Sequence, residues 1–238
     1  MRNVWTIIWR ELKTYFVSPL AYILSALWLL LSGYFFALNL YFSREASMRN
    51  LLTTIIFVFL LLAPLLTMRL LSEEQRMGTL ELLLTSPLSD WQVVVGKFLG
   101  SLIWYIALVI IPMLYYVVVL FAFGQPDVGP LITGYIGLIL MGAACFAIGT
   151  FTSSLTQNQV VAAVLSMVIL IFLWVADSIS QVFGSGALSD AFTYITITRH
   201  FNDFFNGVIN STDIVYALGV IAVSLFLATQ ALQTRRWR

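Results

Sequence analysis

Residues able to do chemistry are scarce in this chain, and their densest group lies in one segment. Charged side chains make up 10% of its 238 residues. Yet residues 72–97, SEEQRMGTLELLLTSPLSDWQVVVGK, hold Glu73, Glu74, Arg76, Glu81, Asp90 and Lys97. Glu73, Glu74 and Arg76 continue a helix out of the apolar run before them, and Gly78 breaks it. Thr79 is the expected N-cap of a short helix over 80–85, with Glu81 near the positive end of its dipole. Ser86-Pro87 stops that helix, because the residue before proline is pushed out of helical geometry. Ser89 then opens another, Gln92 completing a capping box, and this one carries Trp91, Val94 and Val95 into the next apolar run. Leu80, Leu82, Leu83 and Leu84 make the short helix too apolar for water. Composition leaves them two homes, the bilayer interface or a groove on a soluble partner. The chemistry on offer is docking, not bond making.

The remaining reactive side chains point the same way. His200 is the single histidine and Cys145 the single cysteine. His200 has no second histidine or cysteine nearby, so a hydrogen-bonding role is expected rather than a metal site. Cys145 permits no intrachain disulfide and sits beside Ala143, Ala144 and Ala147 as a packing residue. Gly96-Lys97-Phe98 lacks both the hydroxyl and the preceding glycine of a phosphate loop. We therefore expect no catalytic, cofactor or metal residues and no enzyme activity in this chain.

The elements that must position the 72–97 segment are membrane helices. Apolar residues make up 61% of the chain, against about 45–50% in soluble domains, and a spanning helix needs about 20 of them. Six runs fit, at about 20–42, 51–71, 98–123, 131–155, 160–176 and 214–232. The fifth is the shortest and reaches toward Val182. The expectation is an all-α integral membrane protein with one transmembrane domain over 1–238. The longest remainder, 177–213, is too short to fold alone. The first run, long enough to span and without a cleavage site, should stay as a helix.

Basic residues collect on the cytoplasmic side. With six spans one side carries Arg2, Arg10, Lys13, Arg69, Arg76, Lys97, Arg235, Arg236 and Arg238; the other carries Arg44, Arg49 and Arg199. Both termini and the 72–97 loop are therefore expected in the cytoplasm, and the balanced net charge of +1 argues against a nucleic-acid partner.

Before the first span, Val4, Trp5, Ile8, Leu12, Tyr15 and Phe16 recur at helical spacing with Arg10, Lys13 and Thr14 between them. This reads as an amphipathic helix in the headgroup plane, ended by Ser18-Pro19. Pro64 and Pro112 interrupt spans two and three. Gly134, Gly137, Gly142, Gly149, Ser153 and neighbouring alanines give span four a small-residue stripe suited to close packing. Arg69 should snorkel to the interface. In the outer segment, Phe201, Phe204, Phe205 and Val208 share a helical face opposite Asn202, Asp203 and Asn206, with Gly207 as terminator. That helix is expected to lie on, or dip back into, the outer leaflet. Arg235-Arg236-Trp237-Arg238 reads as a lipid-headgroup anchor. Polar residues within the spans, such as Asn39, Thr53, Thr54, Ser101 and Ser166, read as packing residues. No ionisable residue lies at mid-span, where a proton- or ion-driven carrier would need one, so energy for transport should come from outside the chain.

The segment EEQRMGTLELLLTSPLSDWQVVVGKF resembles the loop between the second and third spans of membrane subunits of type-two ABC exporters, where it forms the coupling helix. WRELKTYFVSPLAYI, RHFNDFFNGVIN and the closing RRW resemble the gliding-motility and copper-processing-like branch of that family. The resemblance implies a permease subunit of the bacterial inner membrane. It would form the translocation pathway with a second permease, identical or related, above two cytoplasmic ATP-binding cassette ATPases that hold ATP and magnesium. A periplasm-facing auxiliary subunit is common in that branch. By this match Gly78, Thr79, Leu80, Glu81, Leu82 and Leu83 form the docking element, Glu73, Glu74 and Arg76 stand at its mouth, and Pro87 closes it. Three alternatives stand beside this reading, the first of which uses the same loop. They are a scaffold passing force to a periplasmic partner without export, an autonomous channel or carrier, and an integral-membrane enzyme.

Overall fold

The computed structural model describes residues 2–43, 47–79, 88–182 and 186–236. Among them there are helices and no strands. In order they are α1 (Arg2–Val17), α2 (Pro19–Ser43), α3 (Arg49–Thr67), α4 (Arg69–Arg76), α5 (Asp90–Tyr105), a π-helical turn (Ile106–Ile110), α6 (Ile111–Phe123), α7 (Val128–Leu155), α8 (Gln159–Val182), α9 (Ala187–Ile195), α10 (Ile197–Phe205) and α11 (Ser211–Arg236). Five stretches are long and apolar enough to cross a membrane: α2, α3 with α4, α7, α8 and α11. The sixth apolar helix, α6, is shorter, but the turn before it keeps helical dihedrals and joins it to α5.

A proline explains the wide turn. Pro112 has no N–H for the carbonyl four residues back, and its ring crowds that carbonyl. The chain responds with one wide turn, in which the Ile111 N–H reaches the carbonyl of Ile106. Pro64 precedes the point where α3 stops at Thr67 and α4 restarts at Arg69.

α7 is the central post. Its apolar window is 72% inside the bundle, against 33% for α2, 28% for α8 and 22% for α11, which therefore turn most of their surface outward. The glycine stripe makes this possible. A side chain at Gly142 would overlap the Tyr105 ring, one at Gly149 would overlap Thr67, and a Cβ at Gly137 would lie 2.7 Å from Cβ of Phe204. Phe59, Tyr105 and Phe146 meet ring to ring beside this seam, and the Tyr105 hydroxyl donates to the Leu138 carbonyl at 2.9 Å. Cys145 is fully buried in the same core.

The segment expected on the outer side packs into the bundle. α10 does not present its phenylalanines to lipid. Ile197, Phe201, Phe204 and Phe205 are buried in the main core, and Thr133 Oγ1 donates to the Phe204 carbonyl at 2.6 Å. The glycines at 134 and 137 leave a trough that this aromatic face fills, so protein, not bilayer, takes it up. Val208 is left exposed, and Gly207 ends the helix at φ 90°. α1 does so in part. Ile8 and Tyr15 turn into the bundle with Ile7 and Glu11, while Trp5, Trp9 and Phe16 stay exposed. The intraspan hydroxyls and amide mostly bond their own helices, as Asn39 to Phe35, Thr53 to Arg49 and Ser101 to Phe98.

Candidate functional site

The site is α4 and what it is tied to. Leu70, Leu71, Ser72 and Gln75 of this helix are buried, and Arg76 is exposed. Its C-terminal end is built by Gly78 at φ 70°, a left-handed position that a Cβ would strain. Around it the Met77 N–H bonds the Glu73 carbonyl at 3.0 Å and the Gly78 N–H bonds that of Gln75 at 3.4 Å. Thr79 Oγ1 donates back to the Glu74 carbonyl at 3.4 Å. Leu80, Glu81, Leu82, Leu83 and Pro87 lie outside the described residues, as does the expected helix over 80–85.

The start of α4 is unusual. A helix leaves its first four N–H groups without internal partners, and Met68, at the cap position, has no side chain able to accept them. α7 supplies the cap instead. Ser153 Oγ accepts from the N–H groups of Leu71 and Ser72, each at 3.0 Å, and donates to the Met68 carbonyl at 2.9 Å. One turn further, Gln75 Nε2 donates to the Ser154 carbonyl at 2.9 Å.

Charge completes the wiring. Arg69 was expected to snorkel. Its side chain is instead half-buried, donating to Gln159 Oε1 at the start of α8 (3.4 Å) and to Ser18 Oγ at the α1–α2 joint (3.3 Å), with Glu73 3.6 Å away. Lys97 of α5 lies 3.1 Å from Glu74 Oε1 and 3.0 Å from Glu11 Oε2 of α1. Arg10 pairs with the same Glu74 oxygen from the exposed side. The Lys97 side chain is only 3% exposed. Burial acts to lower its pKa, but the charges and hydrogen bonds of Glu11 and Glu74 outweigh it and hold the ammonium above the ordinary lysine value.

α1 lies close on α5 because Gly96 and Gly100 leave room for Ile7 and Glu11. Tyr15 and Phe16 of α1, with Tyr22 of α2, surround the buried ring of Trp104, and Tyr15 donates to the Leu66 carbonyl at 2.9 Å. Between α1, α4 and the start of α5 a groove of about 1120 Å³ opens, bordered by Arg10, Lys13, Arg69, Glu73, Met77, Thr79 and Leu88. On the far side of α4, Leu71 packs with Val94 and with Ala228 and Leu232 of α11.

The structure thus brings Glu73 and Glu74 into networks inside the chain and leaves Arg76 exposed. Glu11, Lys97 and Gln159 did not stand out in the sequence as site residues, and Ser153 stood out only as a packing residue. Gly96-x-x-x-Gly100, a close-approach spacing on membrane helices, flanks Lys97 and was the available signal for the α1 contact. Lys97 itself lies within helix α5, not in a phosphate loop. Ser89 and Gln92 do form the reciprocal cap, the Ser89 N–H bonding Gln92 Oε1 at 3.3 Å.

At the opposite end, His200 is buried with Nδ1 2.7 Å from Asp213 Oδ1 and Nε2 2.9 Å from the Tyr194 carbonyl, its ring stacked on Tyr216. It clasps α9, α10 and α11 together. No group of three metal-ligating side chains occurs among the described residues.

Residues 5–237 match the family described as ABC-2 family transporter protein. A search of curated proteins finds no match.

Proposed function

The chain belongs to the ABC-2 family of transporter proteins, membrane components of ABC transporters, and on that premise we propose that it is the permease half of an ATP-driven exporter whose ATPase is a separate chain. In this reading one transmembrane domain of six spans sits in the bacterial inner membrane, with both termini and the end bearing α4 in the cytoplasm. Two permeases, identical or related, line the pathway. ATP and magnesium stay on the ATPase pair, which grips Gly78–Leu83 from below. α9 and α10 form the outer face, where a periplasm-facing auxiliary subunit would meet the chain.

The observation that carries this reading is the wiring of α4. A stem separated from its own span by a break at Met68 is bonded to α1, α5, α7 and α8 at once. An element that only closed a loop would not need bonds to four helices. One that receives a push and distributes it would. The bonds to α5 and α7 are short and directional, at 2.9–3.1 Å, so displacing α4 displaces those neighbours.

Co-purification in mild detergent tests the proposal. The wild-type chain should bring down a soluble ATPase, and Glu81→Arg or Leu82→Asp should weaken that association with membrane insertion intact. Undiminished association in both variants would refute the assigned docking element.

A further inference from the structure

Lys97 is the most enclosed ion in the described structure, and apolar packing alone does not account for it. Its ammonium bridges carboxylates on two elements far away in sequence, Glu11 on α1 and Glu74 on α4, while its own backbone belongs to α5. We infer that Lys97 is a positioning residue. Held between Glu11 and Glu74, it locks α1, α4 and α5 in one register, so that a displacement of α4 is carried to α1 and α5 together. This rests on the proposed role of α4 as the stem that receives motion from an ATPase.

Stability does not explain the cluster. Taking charged groups out of water is costly, and apolar side chains of similar volume commonly serve a fold as well or better. What ions add is directionality and a defined register. The α1–α5 contact gains from that addition, because Gly96 and Gly100 offer Ile7 and the stem of Glu11 close but undirected contact, and the register at this end otherwise rests on Tyr15 and Phe16 against Trp104 one turn further on. The ammonium, one residue from Gly96, pins the contact at one point. Glu74 extends the pin to α4. It lies six residues past the Met68 break, on the stem itself, and its Oε1 atom receives both Lys97 and Arg10. Pull on the stem therefore reaches α5 through Lys97 and reaches α1 through Glu11 and Arg10.

The test uses the complex of this chain with its co-purified ATPase. Deuterium uptake is followed by mass spectrometry with and without ATP plus vanadate, and a thermal midpoint is recorded for each variant. In wild type, nucleotide should change uptake in α4, α1 and α5 together. In Glu11→Leu/Glu74→Leu/Lys97→Met the midpoint should be unchanged or raised and the ATPase still bound, but the change should remain in α4 and be lost from α1 and α5. Glu11→Leu/Lys97→Met, which leaves Glu74 paired with Arg10, should lose the change from α5 while α1 keeps part of it through Arg10, and serves if the triple variant does not assemble. Lys13→Ala, on the same helix but outside the cluster, should behave as wild type. A triple variant that still passes the change to α1 and α5, or a double variant that still passes it to α5, overturns the inference, and so does a double variant that unfolds, since the cluster would then be a stability element. A wild-type chain that binds no ATPase would overturn the parent reading instead.

Discussion

Replacing Ser153 by alanine removes three hydrogen bonds at one stroke and exposes how far α4 depends on α7. The hydroxyl accepts from the N–H groups of Leu71 and Ser72 and donates to the carbonyl of Met68. All three sit at a helix break with little solvent access, and Ser153 itself is fully buried. Losing an N-cap costs about 1 kcal/mol, and a buried donor left unpaired costs about 1–3 kcal/mol. The two N–H groups share one oxygen, so their losses are not independent, and a total of about 2–3 kcal/mol is expected. By the usual scaling for a chain of this size, that lowers the thermal midpoint by about 5–10 °C. Ser154→Ala is the matched control. Ser154 is equally buried, but its hydroxyl donates only to the Phe151 carbonyl in its own helix, and its loss should cost under about 1 kcal/mol. Thermal unfolding in detergent, followed by intrinsic fluorescence, separates the two. Equal midpoints for Ser153→Ala and Ser154→Ala would refute the idea that α7 caps α4.

Two further outcomes follow from packing and charge. Gly137→Leu should drive α10 off its trough, because Phe204 already lies 2.7 Å from where the new Cβ would stand; a loss of at least about 1–3 kcal/mol and faster deuterium uptake across α10 would register it, and unchanged uptake would contradict it. The Lys97 pKa is raised in the folded chain above the ordinary 10.5, so its ion pairs stabilise at every pH below that value. Their contribution is lost only as pH climbs through the raised value. The midpoint difference between wild type and Glu11→Leu/Glu74→Leu/Lys97→Met should therefore stay constant from about pH 7 to about pH 10, and a drift already near neutrality would contradict the pairing.

Local chemistry made much of this architecture readable in the sequence. Long apolar runs, the Ser89 and Gln92 cap, the Gly78 break and the prolines announced helices and their ends, because each acts over a few residues. The small-residue stripe of α7 announced close packing for the same reason. What it packed against was not readable. The aromatic face of α10 has the same spacing whether lipid or protein covers it, and only the trough at Gly134 and Gly137 decides. The site divided along the same line. Glu73, Glu74, Gly78 and Thr79 stood out within one segment, whereas Glu11 and Lys97, 86 residues apart, become a unit only once α1 lies on α5. Ser153 signalled close packing and nothing more, since a serine in a helix that is mostly apolar reads as one more small residue until the uncapped turn beside it is seen.

The central claim is that the segment following α4 receives motion from a separate ATP-hydrolysing protein. A photo-crosslinking side chain placed at Leu82 in cells tests it most directly, with the crosslinked partner identified and assayed after purification. The account predicts a cytoplasmic subunit that hydrolyses ATP. Capture of lipid alone, or modification of that position by a reagent confined to the outside of the cell, would contradict it.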